Sequence, residues 1–594
     1  PVSLLYGRQE SIDCLLHHFS RVAQGLIPNA LVLVCGKSGV GKTSLVMEIH
    51  KPLLKLRGSF VSGKLEEFKQ VPLYPFVQIF KKLVQSLMVL NDEELNHWRQ
   101  KIVDSLKHRI HVMIDIVPEL QLVVGSNQPM ATQLSANESE MRFLRTCIDF
   151  LKLFASDMQP LVCFIDDLQW CDVVTVKLIK KILQDSSCRY IFLIGSYREG
   201  VSSWFDTFLV YDQKSSSRTS DLQAFQDRVI PVNLPPLTVD SIACMLKDTF
   251  CIQEKAQVQS LAEFIHMKSN GNCYFVRTIM DELVKKELIQ FDYETEKWIW
   301  NMNHIRQEPI STEIVSMLEN RVKRLPESTR VLLAQAAVIG HRFSAFTLAE
   351  INETTVELTE QVLMNAMEEG LVTDISESEL NEVEYMFVHD RVHRILYHMN
   401  NQECIDKLHL RIGLYLRSKY ENRDDISLEV ADHFVNAIHL ITDKEEVLET
   451  SNFLLRAANM AKASSAFANS LRICRSIVKL IDREKLMWQN HYDVAFEAHK
   501  LMMECEYCRK DFEGSRQTYL YALDHCATDL DKLTLHRLRV TALENGGHVA
   551  ESIQLNYASL ALLGIDMPST EEEEEVENRL KMELQHSIEL FRET

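Results

Sequence analysis

The stretch GKSGVGKTS, residues 36–44, has the residue types and spacing to hold a triphosphate. It fits the pattern GxxxxGK[ST] and lies directly after the apolar run LVLVC and before the helical pattern LVMEIH, the setting in which that pattern carries its chemistry. Gly36, Gly39 and Gly41 let backbone N–H groups turn toward phosphate oxygens, and Lys37, Ser38, Val40 and Ser44 complete the loop. Lys42 is placed to reach the β- and γ-phosphates, and the Thr43 hydroxyl to bind Mg2+.

A second constellation, LVCFIDDLQW (161–170), is an apolar strand that ends in two carboxylates. Opposite a P-loop, Asp166 would complete the Mg2+ shell, while Asp167 would orient or deprotonate the attacking water. Asp is shorter than the Glu often found at the second place, which predicts slow hydrolysis. YIFLIGSYREG (190–200) puts Arg198 just past another strand end, where its planar fork can read a γ-phosphate. LPPL (234–237) is a rigid turn whose Pro235 can wall an adenine. Arg142 and Arg145 are candidates for an arginine finger by position alone.

EYMFVHDRVHRILYH (384–398) raises a different chemistry, since His389 and His393 have the spacing of a zinc-protease helix. EYMFV, however, reads as a strand that ends at His389, with Asp390 as N-cap of the helix RVHRILYHM. The two imidazoles then share no helix face, and no third ligand is apparent. A core histidine and a nucleotide-sensing histidine remain, and the second is preferred.

These residues need elements to hold them. LVLVC (31–35), GSFVSG (58–63), LVCFID (161–166), YIFLIG (190–195) and VIPVNL (229–234) read as buried strands, with helical patterns between several of them, which predicts a parallel α/β domain over 1–236. A helical lid follows at 237–325, with a small hairpin in LIQFDYETEKWIWN. Residues 326–402 give helices, then strands LVTDI and EYMFV around the turn SESELNE, with Gly370 as a helix stop: a winged-helix pattern. From 403 to 594 the periodicity is helical throughout. Phe467, Phe512 and Val549 occupy matching places in similar segments 45 and 37 positions apart, which predicts a tetratricopeptide-like array. STEEEEEVENRLKMEL begins with Ser569 or Thr570 as N-cap and reads as a solvated helix start.

With 594 residues, 46% hydrophobic and 25% charged, the composition is that of a multidomain soluble chain, and no apolar run approaches the ~20 residues of a membrane span. The first residue is Pro1, which is read as excision from something longer. Fourteen cysteines lie scattered, Cys35, Cys147 and Cys163 within apolar runs, and the one CxxC pair, Cys505 and Cys508, has no second pair to complete a zinc site. A reducing, cytoplasmic setting is expected. A net charge of −20 disfavours nucleic acid, and residues 343–390, most of the winged-helix span, contain no Lys or Arg.

Together these motifs resemble the signal-transducing ATPases with numerous domains (STAND), close to AAA+ ATPases, and more closely the ATPase core of very large signalling kinases. The resemblance runs through YGRQESI, GKSGVGKTS, GSFVSGK, FIDDLQWCD, LIGSYREG, SNGNCYFV (269–276), FVHDRV and KLHLRIGLYL, in an order that spans nearly the whole chain. It implies that Gly7 and Arg8 lie by the adenine. It also implies that His389 contacts the β-phosphate of trapped ADP, although Val388 stands where such proteins carry Met. The ligands implied are ATP or ADP and Mg2+. The implied role is a slowly hydrolysing switch, closed with ADP and opened by ATP, that regulates a larger signalling protein and engages a protein partner or effector domain through the helical array. Nucleic acid and membrane insertion are not expected, and nucleotide-dependent oligomerisation stays open. The alternatives are a DNA-binding regulator that uses the winged helix and a scaffold with a non-hydrolysing nucleotide site.

Overall fold

The structure is a computed structural model that describes residues 5–66, 71–125, 136–199, 228–307, 314–375, 383–419, 427–464, 466–482, 487–545 and 547–565. The turn SESELNE and the acidic stretch from Ser569 lie outside the described residues. Five strands form one sheet: β1 (Asn29–Cys35), β2 (Ser59–Lys64), β3 (Leu161–Asp166), β4 (Ile191–Tyr197) and β5 (Val229–Asn233), in the order β2-β3-β4-β1-β5, with every pairing parallel.

Alternate residues of the central strands feed two cores. Leu31, Leu33, Leu161, Cys163, Ile165 and Leu193 pack on one face with the helices Tyr74–Met88, Ala136–Leu153 and Val173–Gln184. Ala30, Val32, Val34, Phe164 and Ile194 pack on the other with the helix Gln9–Ala23. A sheet covered on both faces exposes its edges, and parallel pairing brings all strand C-termini to one of them, where α/β folds build their ligand sites.

The helices Val239–Thr249, Gln259–Ser269 and Cys273–Lys285 follow, with a hairpin of β6 (Ile289–Asp292) and β7 (Lys297–Trp300) packed into their shared core. Next come the helices Glu327–Ile339, Ala345–Ile351 and Val356–Glu368, then β9 (Val372–Asp374), β10 (Glu384–Phe387) and the helix Asp390–Met399. A short strand, β8 (Arg342–Ser344), pairs with the other side of β10 and was not foreseen, three residues being too few to show a period. Gly370 does end its helix, in the left-handed conformation with φ 68.

By its internal contacts the chain forms two compact units, one of residues 1–442 with 463–466 and one of 443–462 with 467–594. The helix Gln402–Lys419 belongs to the first, with Ile405, Leu408 and Ile412 completing the winged-helix core. The second unit is built from helix pairs. Phe467, Phe512 and Val549 each open the second helix of a pair, Phe467–Ile481, Phe512–Asp524 and Val549–Leu562. Three residues on, Ser470, Ser515 and Ser552 are all buried. The Ser470 and Ser515 hydroxyls donate to the carbonyls of Ala458 and Met503 on the preceding helix, at 2.8 and 3.0 Å, so the sequence match corresponds to a repeated packing contact.

Gly63, the penultimate residue of β2, touches the start of the helix Tyr74–Met88 backbone to backbone: a Cβ there would stand 2.1 Å from the Pro75 carbonyl oxygen. Neither backbone can yield, so Gly63→Ala should destabilise the first unit by about 1–3 kcal/mol, the usual cost of overpacking, read as a lower melting temperature.

Candidate nucleotide site

The P-loop leaves β1 at Gly36 and enters the helix Lys42–Met47. Gly39 and Gly41 have φ 78 and φ 100, which side chains rarely tolerate, and a Cβ on Gly36 would meet the Leu234 carbonyl oxygen at 3.0 Å. Lys42 is buried, and its Nζ donates to the carbonyls of Gly36 and Lys37 at 3.1 and 3.2 Å. Burial lowers its pKa, against the pull of Asp167 and Asp166. Thr43 and Ser44 are exposed, and the Thr43 hydroxyl donates to Asp166 Oδ2 at 3.3 Å. Two hard oxygens this close, beside a glycine cradle and a buried lysine, fit a Mg2+-bound triphosphate.

Ser196, buried in β4, holds the Asp166 carboxylate and the backbone of Asp167. Its hydroxyl donates to Asp166 Oδ1 and accepts from the Asp167 backbone N–H, the latter at 3.1 Å. Asp167 itself has φ 61, a left-handed conformation uncommon for a residue with a side chain and a form of strain that clusters at functional sites. Gln169 Nε2 donates to its Oδ1 at 2.7 Å. Burial raises the Asp167 pKa to about 6, with Asp390 and Asp166 adding to the rise and Lys64 opposing it. Such a carboxylate is half-ready to accept a proton near neutrality.

The lid closes over the P-loop through SNGNCYFV. Asn272 Nδ2 donates to the Ser38 carbonyl at 2.8 Å, the Tyr274 N–H to the Gly39 carbonyl at 3.0 Å, and the Cys273 thiol to the Val40 carbonyl at 3.0 Å. Arg8, buried, donates to that same Val40 oxygen at 3.2 Å. Gly7 faces the lid, not the loop: a Cβ on it would lie 2.3 Å from Ser241 Oγ. Pro235 is exposed, one residue beyond Leu234. Arg145 is exposed too and pairs with Asp149 along its own helix at 3.5 Å, while Arg142 is half-buried on that helix.

The winged helix reaches the same place. His389 Nε2 stands 3.3 Å from Ser38 Oγ, 351 residues away in sequence. The expected cap is corrected: His389, not Asp390, is the N-cap of the helix Asp390–Met399, its Nδ1 accepting from the Arg391 N–H at 3.0 Å. Asp390 has stronger partners. Its Oδ1 lies 2.8 Å from Lys64 Nζ and its Oδ2 accepts from Arg198 Nη2 at 2.6 Å. Arg198 Nε is also 3.8 Å from Asp167 Oδ1. His393 turns elsewhere, its Nε2 lying 2.8 Å from the Ala337 carbonyl inside the winged-helix core. Lys64, Ser196, Gln169 and Asn272 had drawn no role from sequence. Lys64 alone left a signal, as a charge at the end of an apolar strand, and its meaning required the parallel register that sets it beside Asp166.

Residues 4–194 match the family model of the AAA ATPase domain. The chain is 22% identical to the hybrid signal transduction histidine kinase G of Dictyostelium discoideum, over 91% of this chain and 19% of that one. It is 17% identical to the peroxide stress-activated histidine kinase mak3 of Schizosaccharomyces pombe, over 90% of this chain and 24% of that one. It thus spans about a fifth to a quarter of these relatives. Among solved structures, a signal transduction ATPase with numerous domains and a tetratricopeptide repeat sensor from Pyrococcus horikoshii aligns with 95% of this chain and 71% of its own, at 11% identity and a TM-score of 0.42. Among the described residues no helix is long and apolar enough to cross a membrane. Residues 4–194 thus match the AAA ATPase domain family, and about nine tenths of the chain aligns with segments of large histidine kinases.

Proposed function

We propose that the chain is an adenine-nucleotide switch, closed with ADP and opened by ATP, that regulates a larger signalling protein. One observation carries the reading: a winged-helix imidazole stands at the P-loop, His389 Nε2 beside Ser38 Oγ. Because Nδ1 accepts the Arg391 N–H, the neutral ring must carry its proton on Nε2, the nitrogen that faces the loop. Burial lowers the His389 pKa to about 4, so the ring is neutral at pH 7 and offers a phosphate oxygen a donor. A winged helix that hydrogen-bonds a β-phosphate is stabilised in the closed position only while that nucleotide is bound.

Within the site, Lys42 neutralises the β- and γ-phosphates, and Arg198 reads the γ-phosphate with its guanidinium. Asp167, held by Ser196 and Gln169, orients the attacking water and accepts its proton. Thr43 and Asp166 would hold Mg2+, which when bound supplies charge neutralisation across the β- and γ-phosphate oxygens. Gly7 and Arg8 would border the adenine, and Pro235 would wall it. The helical array receives a protein partner or effector domain, and fourteen cysteines with no disulfide among the described residues suit a reducing cytoplasm.

Lys42→Ala should abolish ATP and ADP binding in a calorimetric titration. Asp167→Asn should bind ATP as the parent does but turn over about 100-fold or more slowly, the usual range for a lost general base. His389→Ala decides the switch: ADP should weaken by about tenfold or more and ATP little, because a hydrogen bond to a charged group contributes about 1.5–3 kcal/mol and is made only in the closed form. Equal loss for both nucleotides would leave His389 a packing residue. Imidazole nitrogen NMR should find its proton on Nε2 and a titration near pH 4.

A further inference from the structure

Lys64 ends β2, outside the P-loop and the carboxylate strand, yet three side chains converge on its ammonium. Nζ lies 2.8 Å from Asp390 Oδ1, 3.1 Å from His341 Nε2 and 3.6 Å from Asp167 Oδ2. An ammonium only donates, so His341 must accept at Nε2 and carry its proton on Nδ1, which faces Asp390 Oδ1 at 3.5 Å. Burial by itself would lower the Lys64 pKa, but Asp390, Asp166 and Asp167 outweigh it and hold the ammonium above its usual value. Burial would likewise raise Asp390, and Lys64, His341 and Arg198 hold it well below the carboxylate range.

Asp390 therefore bridges two cations of the ATPase sheet, Lys64 at the end of β2 and Arg198 just past β4, on either side of the strand that carries Asp166 and Asp167. The carboxylate comes from the winged helix and both cations come from the sheet. We propose that Lys64 is a positioning residue that makes the site discriminate ADP from ATP, by fixing Asp390 against Arg198 in the closed arrangement. The inference rests on the reading of Arg198 as the γ-phosphate reader.

With Asp390 fixed there, the guanidinium is already neutralised. A γ-phosphate brings a second anion to the same fork, and the two repel each other at close range in a site of low polarity. ATP is accommodated only when Asp390 leaves, which breaks its contacts to both Lys64 and Arg198. The γ-phosphate replaces Asp390 for Arg198, whereas Lys64 loses its nearest anion. ADP has no such group and leaves both contacts in place. Lys64 thereby makes displacement by ATP harder without touching the nucleotide.

The test is a side-by-side measurement of ATP and ADP affinities with Mg2+ on the full chain, for Lys64→Met, Lys64→Arg, Asp390→Asn and Arg198→Ala, with melting curves for each. Lys64→Met should move the ratio of the two Kd values toward ATP by about tenfold, within the usual range of coupling between sites. Lys64→Arg, which keeps the charge, should stay close to the parent. Asp390→Asn should move the ratio in the same direction, and adding Lys64→Met to it should produce no further shift, since Lys64 acts through Asp390. The sign is diagnostic: loss of a cation acting only through its field would disfavour the more highly charged ATP. A Lys64→Met ratio that is unchanged or moves toward ADP, with or without a lower melting temperature, overturns the proposal, and should that variant not fold, an unchanged ratio in Asp390→Asn does so. Arg198→Ala tests the underlying reading separately: selective loss of ATP affinity upholds it, while equal loss for both nucleotides removes it and the proposal together.

Discussion

Lys42, Lys64 and Arg198 meet Asp166, Asp167 and Asp390 where the parallel strands end, and all six are at least half-buried. Placing an ion in such surroundings costs on the order of several kcal/mol unless it is paired and hydrogen-bonded. Parallel pairing brings strand ends level, Lys64 beside Asp166 and Tyr197 beside Cys35, so the sheet that supplies a phosphate loop also gathers these charges at one edge. The P-loop, the lid and the winged helix are all anchored to this edge. Each charge depends on the others, so a change at one is felt across strands far apart in sequence.

How much of this was legible before the structure depended on the range of the interaction. The central strands β1, β3 and β4 could be read from local runs, because a strand buried on both faces is continuously apolar, and the edge strands β2 and β5 from shorter apolar stretches beside them. The P-loop and the two carboxylates could be read because their chemistry sits within nine and ten consecutive residues. Lys64, Ser196 and Asn272 could not, because each acquires its role from a partner on another element: Asp390 for Lys64 and the Ser38 carbonyl for Asn272, both more than two hundred residues away, and Asp166 on the neighbouring strand for Ser196. Asp390 was misread for the same reason. A carboxylate before a helical run suits an N-cap locally, but two cations from the sheet outcompete a backbone N–H for it.

In the second unit the order of difficulty reverses. Its repeats are weak as sequence, with Phe467, Phe512 and Val549 at unequal spacings, yet the packing rule behind them is simple. Three residues after each of these, a small hydroxyl lets the second helix of a pair approach the first. Two of these hydroxyls find a carbonyl twelve residues back. A side chain much larger than serine would hold the helices apart, so the small residue is kept while the rest of the repeat drifts.

The exchange of roles between His389 and Asp390 explains why these two residue types occur in this order. A neutral imidazole has one acceptor and one donor on opposite sides of a rigid ring, and at position 389 the acceptor caps the helix while the donor faces the P-loop. Capping thus orients the donor, and the ring cannot turn away without uncapping the helix. Asp at the same position could cap but would present an anion to the phosphates. At position 390, the first residue of the helix, the requirement is the opposite: an anion is needed for Lys64 and Arg198, and the helix N-terminus favours negative charge there. Reversing the pair would put the carboxylate against the P-loop and leave two sheet cations without their shared counter-charge. The side chains are therefore ordered by the charge each must present to the sheet, and capping falls to the one that can cap and still donate.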